Sequence, residues 1–311
     1  MSSFWAFPGQ GAQQPGMLHG LPEHPLVAHC LAEASSVLNE DVLTLDTAAA
    51  LQSTRAVQLC LLIAGVACAR VLMADGNVPD MVAGLSIGAY PAAVIAGALD
   101  FSDAVRLVAL RGELMQSAYP QGYGMTALIG LDQPTVEALI ARIHSVESPV
   151  YLANINADNQ FVIAGRDEAM AAVAALAKEQ GAAATKRLAV SVPSHCELLA
   201  EPARALADAF AHVGVKAPAL KYLSGSTARP MLSADKVRDD LAFNMCRVID
   251  WRSTVQTAYE RGARLHIELP PGTVLTGLAR RVFEQGSAVA FQGARLDTLS
   301  ALSREEERRH S

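Results

Sequence analysis

The chain has 311 residues, of which 51% are hydrophobic, 18% are charged and only 5% are aromatic. Length and composition predict an α/β protein with a large core, built as one large domain with an insert or as two domains. The formal net charge is −6 and no stripe of Lys and Arg is present, which argues against a nucleic-acid partner.

The first predicted strand, Phe4–Phe7, ends at the loop Pro8-Gly9-Gln10-Gly11. The glycines of this loop allow backbone amides to approach a ligand closely, although the same residues are common where a strand simply ends in a turn. Two predicted helices follow, Leu26–Leu38 and Ala56–Met73. The second is apolar on nearly all sides, which predicts a buried helix.

A second predicted strand, Met81–Ala83, leads into the motif Gly84-Leu85-Ser86-Ile87-Gly88, and an Ala-rich helix follows. A Gly-x-Ser-x-Gly motif between a strand and a helix is typical of a nucleophile elbow, in which a sharp turn exposes the serine hydroxyl. Ser86 is therefore the candidate nucleophile, and the Ile87 amide at the helix N-terminus can stabilise an oxyanion. The motif alone also fits a plain structural turn.

Arg111 lies on the apolar face of the predicted helix Phe101–Ala118, because apolar residues occupy positions i−4, i−3, i+3 and i+4. A core-facing arginine is costly unless it is paired or opens onto a polar cavity. The position predicts either a ligand-binding arginine or a structural one, held in an ion pair or reaching to the edge of the core.

After Gly122-Tyr123-Gly124 the pattern predicts strand, helix, strand, strand, helix and strand, at Met125–Ile129, Gln133–His144, Val150–Asn156, Gln160–Ala164, Glu168–Gln180 and Thr185–Val190. This βαββαβ order is typical of a ferredoxin-like domain. The sequence therefore predicts a small domain at residues 124–189, inserted in a large α/β domain formed by residues 1–123 and 190–311.

The chain re-enters the large domain at a strand that ends in Val192-Pro193-Ser194, and the next turn presents His195. His195 is a candidate base, although a turn-capping or core histidine fits the same position. The other seven histidines are predicted in loops, on helices, in the strand Ala263–Leu269 that contains His266, or in the C-terminal charged segment that contains His310.

Towards the C-terminus the pattern predicts the helices Asp235–Met245 and Trp251–Arg261, the strand Ala263–Leu269, and a further helix opened by Pro270-Pro271-Gly272. The segment Arg304–Ser311 is rich in charged residues. Such a run predicts a solvated tail.

The cysteines are five in number, scattered and without a C-x-x-C pair, which argues against disulfides and a zinc site. The N-terminus lacks the positive region of a signal peptide, and the longest apolar run, Leu59–Ala69, is too short to span a bilayer. We therefore expect a soluble protein of the reducing cytoplasm, without membrane contact.

Five features in matching order and spacing resemble the malonyl-CoA:acyl-carrier-protein transacylases over nearly the whole chain. They are the βαββαβ insert and the motifs Phe7-Pro8-Gly9-Gln10-Gly11, Gly84-Leu85-Ser86-Ile87-Gly88, Leu110-Arg111-Gly112 and Val192-Pro193-Ser194-His195-Cys196. The resemblance implies an α/β-hydrolase-like large domain with a parallel sheet and a ferredoxin-like small domain. It also implies transfer of malonyl from malonyl-CoA to an acyl carrier, with no permanently bound cofactor and no metal.

The resemblance implies a Ser-His dyad. Ser86 would attack the malonyl thioester, and His195 would accept its proton and later return it to a thiol. In this family a carbonyl or amide oxygen orients the histidine. Asn244 stands where the family usually carries glutamine, so its side chain is the expected partner of His195.

The resemblance also implies four substrate-binding residues. The amides of Gln10 and Ile87 would hold the tetrahedral oxyanion. Arg111 would bind the malonyl carboxylate bidentately, which explains an arginine on an apolar helix face. Asn154, in the insert, matches a family position near the substrate.

Three departures from the fatty-acid-synthesis members are present. Leu85 replaces the usual histidine before the nucleophile, Ala89 replaces an acidic residue, and Leu269-Pro270-Pro271-Gly272 replaces a segment of Val-Gly-Pro-Gly type. These segments are most similar to the epsilon, or transacylase, subunit of malonate decarboxylase, whose carrier bears a phosphoribosyl-dephospho-CoA thiol arm. The expected partners are then malonyl-CoA, that carrier and other decarboxylase subunits.

Three alternatives remain at this point. The first is the transacylase of fatty-acid synthesis, which has the same chemistry and a different carrier with a phosphopantetheine-type arm. The second is a serine hydrolase or thioesterase, which needs only the elbow and leaves Arg111 unexplained. The third is a catalytically silent carrier-docking subunit, against which the presence of Ser86, His195 and Arg111 argues.

Overall fold

A computed structural model of the protein describes residues 2–308. The larger of its two sheets forms the centre of the fold. Its strands are β1 (Ser2–Phe7), β2 (Met81–Gly84), β7 (Lys221–Leu223), β8 (Pro230–Met231), β10 (Ala263–Glu268) and β11 (Ser287–Ala290). Their order is β11-β10-β1-β2-β7-β8, and all neighbours are parallel except β7 and β8. The α/β class is confirmed.

Helices cover both faces of this sheet. They are α1 (Pro25–Leu38), α2 (Thr54–Ala74), α3 (Ala89–Ile95), α4 (Phe101–Ala118), α7 (Ala200–Phe210), α8 (Ala234–Phe243), α9 (Trp251–Glu260), α10 (Val274–Ala279) and α11 (Leu296–Arg308). Successive residues of a strand point to opposite faces, so Trp5 and Phe7 pack with α2 to α4 while Phe4 and Ala6 pack with α9 and α10. The central strands are thus buried on both sides, as parallel strands usually are.

Helix α2 is the centre of the larger core. Its 21 residues are long and apolar enough to cross a membrane, but 89% of its most apolar window is buried inside the protein. A helix that is hydrophobic all round is stable in water only when other elements surround it. The buried helix predicted from the sequence is confirmed.

A second sheet carries the insert. Its elements are β3 (Tyr123–Ile129), α5 (Gln133–Ile143), β4 (Val150–Ala157), β5 (Gln160–Arg166), α6 (Asp167–Glu179) and β6 (Ala184–Arg187), in the predicted βαββαβ order. The strand order is β6-β3-β5-β4, and all of these neighbours are antiparallel. A fifth strand, β9 (Ile249–Asp250), pairs with β4 in parallel and joins the two halves of the structure.

The C-terminal segment differs from expectation. Residues 304–308 are not a solvated tail but the last turns of α11, where Ser303 and Glu306 are buried. The apolar residues Leu296, Leu299 and Leu302 pack this helix against the larger core. The charged residues that follow them do not by themselves indicate this packing. Residues 309–311, with His310, lie outside the described part of the chain.

Candidate active site

The Gly-x-Ser-x-Gly motif forms a sharp turn between β2 and a short 3₁₀-helix at Ser86–Gly88. Ser86 has a φ of 59°, a left-handed conformation that non-glycine residues adopt where surrounding structure imposes it, often at functional sites. A Cβ on Gly84 would lie 1.7 Å from the carbonyl carbon of Gly88, so the turn requires glycine there. The geometry is that of a nucleophile elbow.

The loop after β1 lies against the elbow. The Leu85 amide donates to the Phe7 carbonyl oxygen at 2.9 Å, which fixes the serine turn beside the Pro8–Gly11 loop. Among the hydrogen bonds of residues 2–308, none is donated by the backbone amides of Gln10 or Ile87. These amides remain able to bind an oxyanion near Ser86.

His195 also has a left-handed backbone, with a φ of 65°. Its amide donates to the Met245 carbonyl at 2.7 Å, and its Nδ1 lies 2.8 Å from the carbonyl oxygen of Asn244. Because a carbonyl can only accept, Nδ1 carries the hydrogen and Nε2 has the free lone pair. Burial lowers the pKa of His195 to about 4, so the ring is neutral and can act as a base.

The prediction that the Asn244 side chain orients His195 is wrong. The backbone carbonyl of Asn244 makes that contact, and the side chain turns to other partners. Its Nδ2 donates to the Ser86 carbonyl oxygen at 3.1 Å, and its Oδ1 accepts from Arg111 Nη2 at 3.0 Å. A substitution of the side chain therefore leaves the orienting bond to His195 in place.

Arg111 is fully buried on α4 and meets only neutral partners among the described residues. Nη1 donates to Gln58 Oε1 at 2.8 Å, and Nη2 donates to Asn244 Oδ1 and more weakly to Ser86 Oγ at 3.4 Å. Nε has no partner within residues 2–308. Burial lowers its pKa to about 10, so the guanidinium stays charged at neutral pH. Within the described part of the chain, Arg111 does not form the structural ion pair allowed by the sequence.

Close packing of two helices places this guanidinium. A Cβ on Gly112 would lie 2.5 Å from the Cα of Arg55, so glycine at this position lets α4 approach α2 closely. Gln58 on α2 is thereby brought within hydrogen-bond distance of Arg111. Sequence reasoning missed Gln58, although a single amide inside the apolar run Val57–Ala69 is a signal that could have indicated it.

Ser86, Arg111, Asn244 and His195 thus form one hydrogen-bonded group. The described structure holds no hydrogen bond between Ser86 Oγ and His195; such bonds are often long in free enzymes and shorten when substrate binds. Asn154 lies on β4, beside Ile249 of β9. It is buried and its Oδ1 is without a partner in the described chain.

Comparisons with known proteins show the family of this chain. The Acyl transferase domain family model matches residues 4–308. The chain belongs to the acyl transferase family. The malonyl CoA-acyl carrier protein transacylase of Escherichia coli K12 is 39% identical over 295 residues, which are 92% of this chain and 94% of the relative, and that of Bacillus subtilis is 31% identical over 97% and 96%.

Solved acyl transferases have the same fold. The malonyl CoA-acyl carrier protein transacylase of Coxiella burnetii superposes with a TM-score of 0.92 at 35% identity and covers 98% of each chain. A malonyl transacylase solved in complex with a type II polyketide synthase acyl carrier protein gives 0.91 at 36% identity, over 98% of this chain and 100% of the other.

The described chain also carries cysteines and a buried histidine, His266, outside this hydrogen-bonded group. Among residues 2–308, no group of His, Cys, Asp and Glu side chains is arranged to hold a metal ion, and the five cysteines are free. His266 is fully buried in the smaller core, between the rings of Phe4 and Phe283 with centroid distances of 5.6 and 5.8 Å. Neither ring nitrogen has a partner in the described chain, so this acyl transferase uses His266 for packing.

Replacing His266 with phenylalanine is expected to reduce the acid sensitivity of the fold. Burial lowers the pKa of His266 to about 3, so between pH 6.5 and 3 the unfolded chain binds a proton that the native protein excludes. A buried neutral histidine of this kind lowers the free energy of unfolding by up to about 1.4 kcal/mol for each pH unit below 6.5. Urea unfolding at pH 7 and pH 5 gives the free energy of unfolding, which should fall by about 2 kcal/mol less in the variant than in the wild type. An equal fall in both proteins would contradict the lowered pKa of His266.

Proposed function

We propose that this acyl transferase moves a malonyl group from malonyl-CoA to the thiol of an acyl carrier protein through an ester on Ser86. The observation that carries the proposal is Arg111, a buried cation within 3.4 Å of Ser86 Oγ that meets no carboxylate among the described residues. A buried charge is costly without a counter-ion, and the carboxylate of a malonyl group bound as a thioester supplies one beside the nucleophile.

The reaction takes two matched halves. Ser86 Oγ attacks the thioester carbonyl as its proton passes to Nε2 of His195, and the oxyanion accepts hydrogen bonds from the amides of Gln10 and Ile87. The carbon–sulfur bond breaks, and the CoA thiolate takes the proton from His195. In the second half the carrier thiol gives its proton to His195, and its sulfur attacks the carbonyl carbon of the Ser86 ester. The bond between that carbon and Ser86 Oγ breaks, His195 returns the proton to Oγ, and the carrier leaves as the malonyl thioester.

We infer that the two parts of the chain contribute different residues to the site. The large α/β-hydrolase-like part, residues 1–123 and 190–311, carries the nucleophile, the base and the carboxylate-binding arginine. The ferredoxin-like insert, residues 124–189, contributes Asn154. Its Oδ1 has no partner in the described chain and is suited to a donor on the substrate arm. No bound cofactor takes part, and malonyl-CoA is a substrate.

The carrier that we favour is a phosphopantetheine-bearing acyl carrier protein of the fatty-acid-synthesis type. Relatives named as malonyl CoA-acyl carrier protein transacylases match almost end to end, and one solved relative is bound to the holo acyl carrier protein of a type II polyketide synthase. The carrier of malonate decarboxylase is the second candidate, because Leu85, Ala89 and Leu269-Pro270-Pro271-Gly272 resemble the transacylase subunit of that enzyme.

Side-by-side transfer assays should decide between these carriers. We expect radiolabelled malonyl to move from malonyl-CoA to the phosphopantetheine carrier with ping-pong kinetics, because one serine serves both thiols in turn. Exclusive labelling of the phosphoribosyl-dephospho-CoA carrier would assign the chain to malonate decarboxylase. Release of free malonate with neither carrier labelled would make the protein a thioesterase.

A further inference from the structure

The two side chains that hold Arg111 are both amides. Gln58 Oε1 accepts from Nη1 at 2.8 Å, and Asn244 Oδ1 accepts from Nη2 at 3.0 Å. Both residues are buried, so neither amide gains from contact with water. We call Gln58 and Asn244 the amide pair.

The amide pair is unusual when compared with the other arginines of the chain. Arg55 lies 3.1 Å from Glu113, Arg187 lies 2.7 Å from Asp167, and both of these arginines are partly exposed. Arg111 is the arginine in greatest need of a counter-ion, since it is fully buried. Its side-chain acceptors, the amide pair and more weakly Ser86 Oγ, nevertheless carry no charge.

The amide pair fixes the guanidinium and leaves donors free. The Gln58 amide nitrogen contacts Met115 Sδ at 3.3 Å, and the Asn244 amide nitrogen donates to the Ser86 carbonyl, so each oxygen is directed at Arg111. Nε has no partner among the residues that the structure describes, and Nη1 has a second N–H beyond the one given to Gln58. A carboxylate can therefore bind without displacing either amide.

We propose that Gln58 and Asn244 are positioning residues that hold Arg111 in place without neutralising it, and that their lack of charge sets the preference for acyl groups bearing a carboxylate. An acidic side chain in either position would be a permanent counter-ion, which an incoming malonyl carboxylate would have to displace. This inference rests on the proposed function, in which Arg111 binds that carboxylate.

The test is Gln58→Glu, which keeps the shape of the side chain and adds a charge. We expect the ratio of malonyl to acetyl transfer to fall at least about tenfold, with a higher KM for malonyl-CoA, because an internal ion pair competes with the substrate. Acetyl transfer should be retained, and the thermal unfolding midpoint should not fall. Asn244→Asp should lower the same ratio, together with a general loss of rate, because it removes the donor to the Ser86 carbonyl.

The matched control is Asn159→Asp, which makes the same chemical change at an exposed amide that accepts from Arg281 at 3.3 Å. Its transfer ratio should equal that of the wild type.

If Arg111→Ala lowers the ratio while Gln58→Glu and Asn244→Asp leave it unchanged, the amide-pair proposal is overturned and the proposed function stands. If none of the three changes the ratio, the proposed function itself fails. Equal loss of malonyl and acetyl transfer in a folded Gln58→Glu variant would also overturn the proposal. If Gln58→Glu does not fold, the transfer ratio of Asn244→Asp decides the question.

Discussion

Replacing His195 with alanine is expected to slow acylation of Ser86 by malonyl-CoA by about 10²- to 10⁴-fold at neutral pH, the usual contribution of a positioned general base. Nδ1 of His195 is committed to the Asn244 carbonyl, so Nε2 is the proton acceptor left for the serine. Among residues 2–308, the titratable side chain hydrogen-bonded to Ser86 Oγ is that of Arg111, which is charged and cannot accept a proton. Rapid-quench kinetics should measure the rate of Ser86 acylation in the wild type and in His195→Ala.

The pH profile of the wild type provides a second check on His195. A neutral imidazole is required, and burial lowers its pKa to about 4, so acylation should stay level from neutral pH down to about pH 5 and fall only near pH 4. His212→Ala, at an exposed histidine, is the matched control and should react normally. Acylation by folded His195→Ala at the wild-type rate would exclude His195 as the base.

Arg111→Ala should lower the preference for malonyl over acetyl transfer by about 100-fold or more, because one side of a charge-assisted bidentate pair is removed. Acetyl transfer, which offers no carboxylate, should be spared or improved. The measurement is kcat/KM for both acyl-CoA substrates with each variant. Circular dichroism must accompany it, because the substitution also leaves Gln58 and Asn244 without a donor.

The same helix supplies the control for this experiment. Arg106 is 60% exposed and pairs with Asp103 three residues away, so Arg106→Ala removes a surface charge and should keep the wild-type ratio. Equal loss of malonyl and acetyl transfer in folded Arg111→Ala would mean that Arg111 supports the structure and does not select the substrate.

The features that the sequence predicts correctly have local causes. The elbow at Ser86 follows from glycine spacing between a strand and a helix, and the inward position of Arg111 follows from helical periodicity over two turns. The βαββαβ order of the insert follows from alternating apolar patterns and turn residues. Each of these depends on neighbours within a few residues.

The features that the sequence misses depend on contacts between distant segments. Asn244 contacts His195 through its backbone and Arg111 through its side chain, and no local pattern separates these two uses. Gln58 is functional only because α2 and α4 pack closely enough to bring it to Arg111, and β9 exists only because β4 lies beside it. Residues 304–308 are helical because preceding leucines dock on the larger core.

The most direct test of the account is intact-mass analysis of the protein mixed with malonyl-CoA and then with a holo acyl carrier protein. We predict a gain of one malonyl group that maps to Ser86, its loss as the carrier becomes malonylated, and no adduct in Ser86→Ala. A normal adduct in Ser86→Ala, or a wild-type adduct that the carrier thiol cannot remove, would contradict transfer through a serine ester.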